Sequence, residues 1–216
     1  MSQIPRFLQP WPQSPLQTQP LPLHAAYNHQ RPFGQAQVLW WPCACPVVPR
    51  TVLLFIPGPL YSPSPFPFFL TKRFIFSGNP GLLDFYVPFL DAIYHEVNSS
   101  TSSSVTIFAH AHLGLSSYIG GDRSFLDTSS VSLPAQIKAH VEFLDELLAA
   151  YGPKTNVILV GHSVGAWFIQ EILKARSAAV ALRRVGAFML FPTISEIGRS
   201  PSGKILSVRT PSINCS

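Results

Sequence analysis

Nine residues, Val157 to Gly165, constrain this chain more than any other stretch. Val157-Ile158-Leu159-Val160 is a short apolar run stopped by Gly161, which suits a buried strand. Ala166 to Arg176 carries the helix-forming residues Ala, Gln, Glu, Leu and Lys, with Lys174 and Arg176 placed for a helix C-terminus. Between them stands Gly161-His162-Ser163-Val164-Gly165. Strand, Gly-x-Ser-x-Gly, helix is the context of a nucleophile elbow. So sharp a turn strains the backbone of Ser163 and brings strand and helix almost into contact, which glycine at 161 and 165 permits. The Ser163 hydroxyl then stands clear of the sheet, and the Val164 amide, opening the helix, points where an oxyanion would form. The plainer alternative is a Gly-rich strand-to-helix turn bearing a surface serine. The bare pattern is a weak signal, and its flanks weigh for the elbow.

A chain of 216 residues allows one domain with a substantial core. It is 47% hydrophobic and only 12% charged, an apolar balance for a soluble protein. Charge is unevenly placed. Before Asp84 there is no acid, only Arg6, Arg31, Arg50, Lys72 and Arg73, so the net charge of +5 sits in the N-terminal part. Five scattered cations make no nucleic-acid patch; weak attraction to an anionic membrane surface fits them better. Cys43, Cys45 and Cys215 form neither a disulfide framework nor a zinc-ligand pattern, which fits a reducing, intracellular location. Met1 to Pro20 lacks the continuous apolar core of a signal peptide. The most apolar stretch, Val52 to Leu70, is broken by five prolines, so no membrane-crossing helix is expected.

Residues 1–35, rich in Pro and Gln, read as a disordered tail. A partial α/β domain is expected over 36–206. Gln37–Trp41 and Thr51–Ile56 read as strands, the second apolar throughout and stopped by Pro57-Gly58. Residues 59–77, dense in Pro and Phe, read as an insertion into that domain. Removing them joins Phe55-Ile56-Pro57-Gly58 directly to Asn79-Pro80-Gly81, and since Phe, Pro, Ser and Leu are amino acids with pyrimidine-rich codons, a retained intron is the expected origin. A membrane-dipping aromatic loop is the rival reading. Arg73-Phe74-Ile75-Phe76-Ser77-Gly78 also resembles the strand end it displaces.

Leu82–Val97 carries an apolar helical stripe of Leu83, Val87, Leu90, Ile93 and Tyr94. Val105–Ala109 is the next strand, ending in His110-Ala111-His112. Two histidines two apart face one way along a strand, but no third ligand converges on them. They read as strand-end histidines, with no metal and no cofactor expected. Pro134–Ala150 forms a helix with Ile137, Val141, Leu144 and Leu148 as its buried stripe, and Val185–Phe191 is a final strand. This order is that of an α/β-hydrolase-like, doubly wound, mostly parallel sheet.

The strand-turn pieces Phe55 to Gly58 and Gly78 to Gly81, with the elbow, carry a resemblance. Leu82 to Tyr86, His112-Leu113-Gly114, Phe191-Pro192-Thr193-Ile194 and Ser200-Pro201-Ser202-Gly203 extend it. Together, from about Gln37 to Ile205 without 59–77, they resemble the lipid droplet-associated serine hydrolase family, a branch of the α/β-hydrolases. The resemblance implies an esterase-like hydrolase at the lipid droplet surface, on its cytoplasmic side or at the endoplasmic reticulum membrane, acting on lipid or sterol esters. It also implies Ser163 as nucleophile, with the amides of Val164 and Asn79 as the oxyanion hole.

One departure from the family pattern is serious. The α/β-hydrolase order is Ser, then Asp or Glu, then His. After Ser163 this chain has no Asp and no His, only Glu171 on the elbow helix and Glu196. Residues 207–216 read as an unstructured tail past an exon end. The domain therefore reads as C-terminally truncated, with activity impaired. His110, His112 or His140 could approach Ser163 from earlier in the chain, whereas His162 is directed away from the hydroxyl by the elbow. Two alternatives stand beside the esterase: a non-catalytic chain associating with lipid surfaces, and an acyltransferase or thioesterase on the same fold.

Overall fold

The computed structural model describes residues 4–11, 21–43, 48–58, 83–99, 104–114, 132–176 and 185–192. Seven strands form one sheet: β1 (Gln9–Pro10), β2 (Leu23–Asn28), β3 (Gln35–Trp41), β4 (Thr51–Ile56), β5 (Val105–His110), β6 (Asn156–His162) and β7 (Val185–Leu190). Their order across the sheet is β1-β2-β3-β5-β4-β6-β7. β5, β4, β6 and β7 run parallel, whereas β1, β2 and β3 add an antiparallel edge. Three helices cover the sheet: α1 (Val87–Asn98), α2 (Leu133–Tyr151) and α3 (Val164–Ala175).

β4 shows why an unbroken apolar run is a central strand. Alternate residues serve opposite faces. Val52, Leu54 and Ile56 join the core under α2 and α3, with Phe143, Leu144, Phe168 and Ile169. Leu53 and Phe55 join the core under α1, with Leu90 and Tyr94. The chain steps from β4 one way to β5, then the other way to β6 and β7, so right-handed crossovers put α1 on one face and α2 and α3 on the other. β4 is therefore the switch point, and the crevice beyond its carboxyl end is where such sheets bind ligands.

Several boundaries differ from the sequence reading for physical reasons. Leu83–Tyr86 is a tight 3-10 turn that leads into α1. Pro88 has no amide to donate to the Asp84 carbonyl, so a regular α-helix cannot run through this point. The last strand stops at Leu190 because Phe191 has φ 47°, outside the strand region. The expected disordered tail over 1–35 is corrected for its described part. β2 pairs along its length with β3, from Leu23 opposite Trp40 to Asn28 opposite Gln35. The hairpin closes through the His29 amide on the Gly34 carbonyl at 2.8 Å. Leu8, Trp11, Ala25, Ala26 and Tyr27 are buried, and Phe7 packs edge-on against Phe143. Leu23-His24-Ala25-Ala26-Tyr27-Asn28 has little intrinsic strand preference; β3 supplies its partner groups and its register. The segments 59–77, 78–81 and 207–216 lie outside the described residues.

Candidate active site

The elbow stands at the carboxyl edge of the sheet, beside the end of β4. Ser163 joins β6 to α3 with φ 54° and ψ −116°, a conformation a non-glycine residue holds only when its surroundings impose it. Two glycines make room. A Cβ on Gly161 would lie 2.5 Å from the carbonyl group of Gly165, and one on Gly165 would strike the carbonyl oxygens of Ile56 and Pro57. The Ser163 amide donates to the Leu190 carbonyl at 2.8 Å, which fastens the turn to the end of β7. The Val164 amide opens α3, so the positive end of the helix dipole lies beside the serine.

Beside the elbow, the end of β4 is part of the same construction. A Cβ on Gly58 would meet His162 Nδ1 at 2.5 Å and Ser163 Cβ at 3.0 Å. The Gly58 amide donates to the Tyr86 hydroxyl at 3.0 Å, and that hydroxyl is 3.0 Å from His162 Nδ1. The Tyr86 oxygen accepts from Gly58, and either Tyr86 or His162 Nδ1 can be the donor between them, according to the His162 tautomer. Burial lowers the proton affinity of His162. His162 thus faces Tyr86, and the ring of Phe191 stands edge-on to it at 6.0 Å. In the sequence, Gly58 and Tyr86 stood only in the strand stop and the resemblance; their contact with His162 appears where β4, the 3-10 turn and β6 meet.

The earlier histidines are placed differently from a catalytic base. His110 bonds His29 through Nε2 at 3.1 Å and His140 through Nδ1 at 2.8 Å. His140 Nε2 lies 3.0 Å from His112 Nδ1, and His112 Nε2 lies 3.1 Å from the Pro57 carbonyl oxygen. Every ring nitrogen of His110, His112 and His140 is therefore occupied within the fold. Burial holds His110 and His140 well below the ordinary imidazole range and His112 at about 4. Their ring nitrogens bond one another, His29 and the Pro57 carbonyl, as the reading of strand-end, structural histidines expects, and none is left over to serve Ser163 as base. Glu171 pairs with Lys174 at 2.7 Å on the outer surface of α3. Glu196 and Asn79 lie outside the described residues.

A serine-bearing elbow at the carboxyl edge of a doubly wound sheet is the α/β-hydrolase arrangement, and that is the class this fold defines. The chain belongs to the lipid-droplet associated hydrolase family, whose model matches residues 71–215. The match takes in 71–77 and 207–215, read from the sequence as part of an insertion and of a tail, and begins near the Arg73–Gly78 stretch that resembles the end of β4. Similar curated proteins are the lipid droplet-associated hydrolases of Pongo abelii, 35% identical over 139 residues, and of Homo sapiens, 34% identical over 139 residues. Each alignment covers 61% of this chain and 40% of the relative, so the chain spans about two fifths of the length of the curated relatives it matches. Among solved structures, a putative hydrolase from Agrobacterium vitis is 12% identical with a TM-score of 0.49, over 82% of this chain and 54% of that one. An α/β serine hydrolase without lid from Xanthomonas campestris is 14% identical with a TM-score of 0.42, over 71% and 57%.

Proposed function

We propose that Ser163 is the nucleophile of a carboxylic ester hydrolase acting on lipid or sterol esters at the lipid droplet surface. The observation that carries this reading is the strained backbone of Ser163 at the β6–α3 junction, held by the Gly161–Gly165 approach. Ser163 would attack the ester carbonyl, and the amides of Val164 and Asn79 would receive the oxyanion. Each such donor is worth about 3–4 kcal/mol of barrier. The droplet surface is taken from the names of the relatives, and the lipid or sterol ester substrate is our inference from that location. No described helix is long and apolar enough to cross a membrane, so attachment would be peripheral for this part of the chain.

His110, His112 and His140 have no ring nitrogen left to take the Ser163 proton. This engagement of the imidazoles favours a second reading, a non-catalytic chain that associates with lipid surfaces. A fluorophosphonate probe separates them. Labelling that disappears in Ser163→Ala supports the nucleophile. Labelling that survives the substitution sinks the assignment, and no labelling at all supports the non-catalytic chain.

A further inference from the structure

Four histidines and one carboxylate form a continuous line through the core. His29 follows β2, His110 ends β5, His112 lies two residues on, and His140 and Glu142 are on α2. The line runs from Glu142 Oε2 to His29 Nδ1 at 3.1 Å, then His29 Nε2 to His110 Nε2 at 3.1 Å. It continues from His110 Nδ1 to His140 Nδ1 at 2.8 Å, His140 Nε2 to His112 Nδ1 at 3.0 Å, and His112 Nε2 to the Pro57 carbonyl oxygen at 3.1 Å.

The protons on this line can be counted. A carbonyl only accepts, so His112 must carry its proton on Nε2 and accept on Nδ1. His140 then donates from Nε2 and accepts on Nδ1, so His110 donates from Nδ1 and accepts on Nε2. His29 in turn donates from Nε2. Its Nδ1 is left facing Glu142, and an ionised carboxylate also only accepts. Five hydrogen bonds between two accepting ends need five protons, and four neutral imidazoles bring four.

We propose that His29, His110, His140 and His112 form one oriented proton store that holds a single extra proton in the bond between His29 and Glu142. The three inner rings are neutral, and their tautomers are fixed by the carbonyl at the far end. Because that end is a carbonyl, the line stores a proton and does not pass it on to the elbow.

The outer end is the right place for the charge. His110, His140 and His112 are fully buried, without a carboxylate in the line beside them. Glu142 lies at the surface end of the line, its side chain 18% exposed. Its Oε1 accepts the Gln30 amide at 2.8 Å and the Tyr27 hydroxyl at 3.4 Å, which leaves Oε2 as the oxygen that faces His29 Nδ1. For His29 itself, burial lowers the proton affinity below the ordinary imidazole value, and the Glu142 contact offsets only part of that, so the charge rests on the geometry of the line. The remaining charges on this side are Asp145 and Glu146 of α2, which with Glu142 push the Tyr27 phenol upward, and Arg31, Lys138 and Arg176 lining the adjoining hollow. Arg176 is bound to Asp145 at 2.6 Å. Loss of the extra proton leaves two lone pairs facing each other between His29 and Glu142. That contact should lengthen, while the Gln30 amide still holds the turn to Glu142 Oε1.

The store does not depend on Ser163 being a nucleophile, and its test needs no activity. The full 216-residue chain, ¹⁵N-labelled at histidine, is observed through imidazole ¹⁵N shifts at about pH 5.5, one unit below the ordinary imidazole value. His29 should show both nitrogens protonated, His110 the Nδ1–H form, and His140 and His112 the Nε2–H form. Raising the pH should change His29 alone. In Glu142→Gln the amide NH₂ donates to a neutral His29, so the extra proton is no longer needed and all four rings should be neutral with unchanged inner tautomers. Four neutral rings in the unsubstituted chain, a cation on an inner ring, or a cation that persists in Glu142→Gln would overturn the proposal. If the variant does not fold, the spectrum of the unsubstituted chain decides by itself.

Discussion

At the scale of single residues, the elbow is a problem of space. Gly165 is held between α3 and the end of β4, where the nearest atoms are backbone carbonyls that no side-chain rotation can move aside. Gly165→Ala should therefore cost about 3 kcal/mol or more, at the upper end of overpacking penalties, read as a lower midpoint in urea. An unchanged midpoint would mean the close approach to Ile56 and Pro57 is not present in solution. Tyr86 tests the neighbouring construction. Tyr86→Phe removes the oxygen that accepts the Gly58 amide and the hydroxyl bonded to His162 Nδ1. A stability loss of about 1–3 kcal/mol is expected for the orphaned groups, together with a change in the His162 imidazole shifts that a packing defect alone would not produce.

At the scale of elements, β5 and α2 are joined by buried histidines, and this makes their packing sensitive to acid. His110, His112 and His140 all have their proton affinity lowered by burial, His112 from 6.5 to about 4. Between those values the unfolded chain binds protons that the folded chain refuses. The stabilising contribution is therefore complete above about 6.5 and is lost as pH falls toward about 4. Each ring contributes a slope of up to about 1.4 kcal/mol per pH unit in that window. Urea denaturation at stepped pH should show stability rising from pH 4 to 6.5 and levelling off above it; a flat profile would mean the inner rings are already charged in the fold. His112→Phe should also destabilise, since it leaves the Pro57 carbonyl without its donor and His140 Nε2–H without its acceptor, at about 1–3 kcal/mol for each group.

At the scale of the whole molecule, the sheet ends differently on its two sides. One edge is the short β1 beside β2. At the other, among the described residues, β7 pairs with β6 alone, and Phe188 and Phe191 are 59% and 84% exposed. An apolar strand in that position is a template for pairing with another chain. We expect this chain to associate with concentration, and Phe188→Lys to reduce that association in sedimentation velocity, as lysine blunts natural edges. A monodisperse monomer at high concentration before the substitution would show that β7 is protected.

The sequence by itself determined the order of the elements from β3 to β7, because each is written in a local period that needs no partner: Thr51–Ile56 and Val157–Val160 as unbroken apolar runs, α2 as a stripe with Pro134 opening it and Gly152 ending it. The elbow was legible for the same reason, its strand, glycines and helix all lying within twenty residues of Val157. Tertiary structure decided what depends on distant partners. Leu23–Asn28 becomes a strand only because β3 offers it a register, so its Pro- and Gln-rich surroundings were a poor guide. Tyr86, Gly58 and His162 are far apart in the chain and meet only where the 3-10 turn and the ends of β4 and β6 converge. His110 and His112 read as strand-end histidines, and nothing in the sequence tied them to His29 or placed His140 between them. Folding lines them up between two acceptors, and hydrogen bonding then dictates where every proton must be.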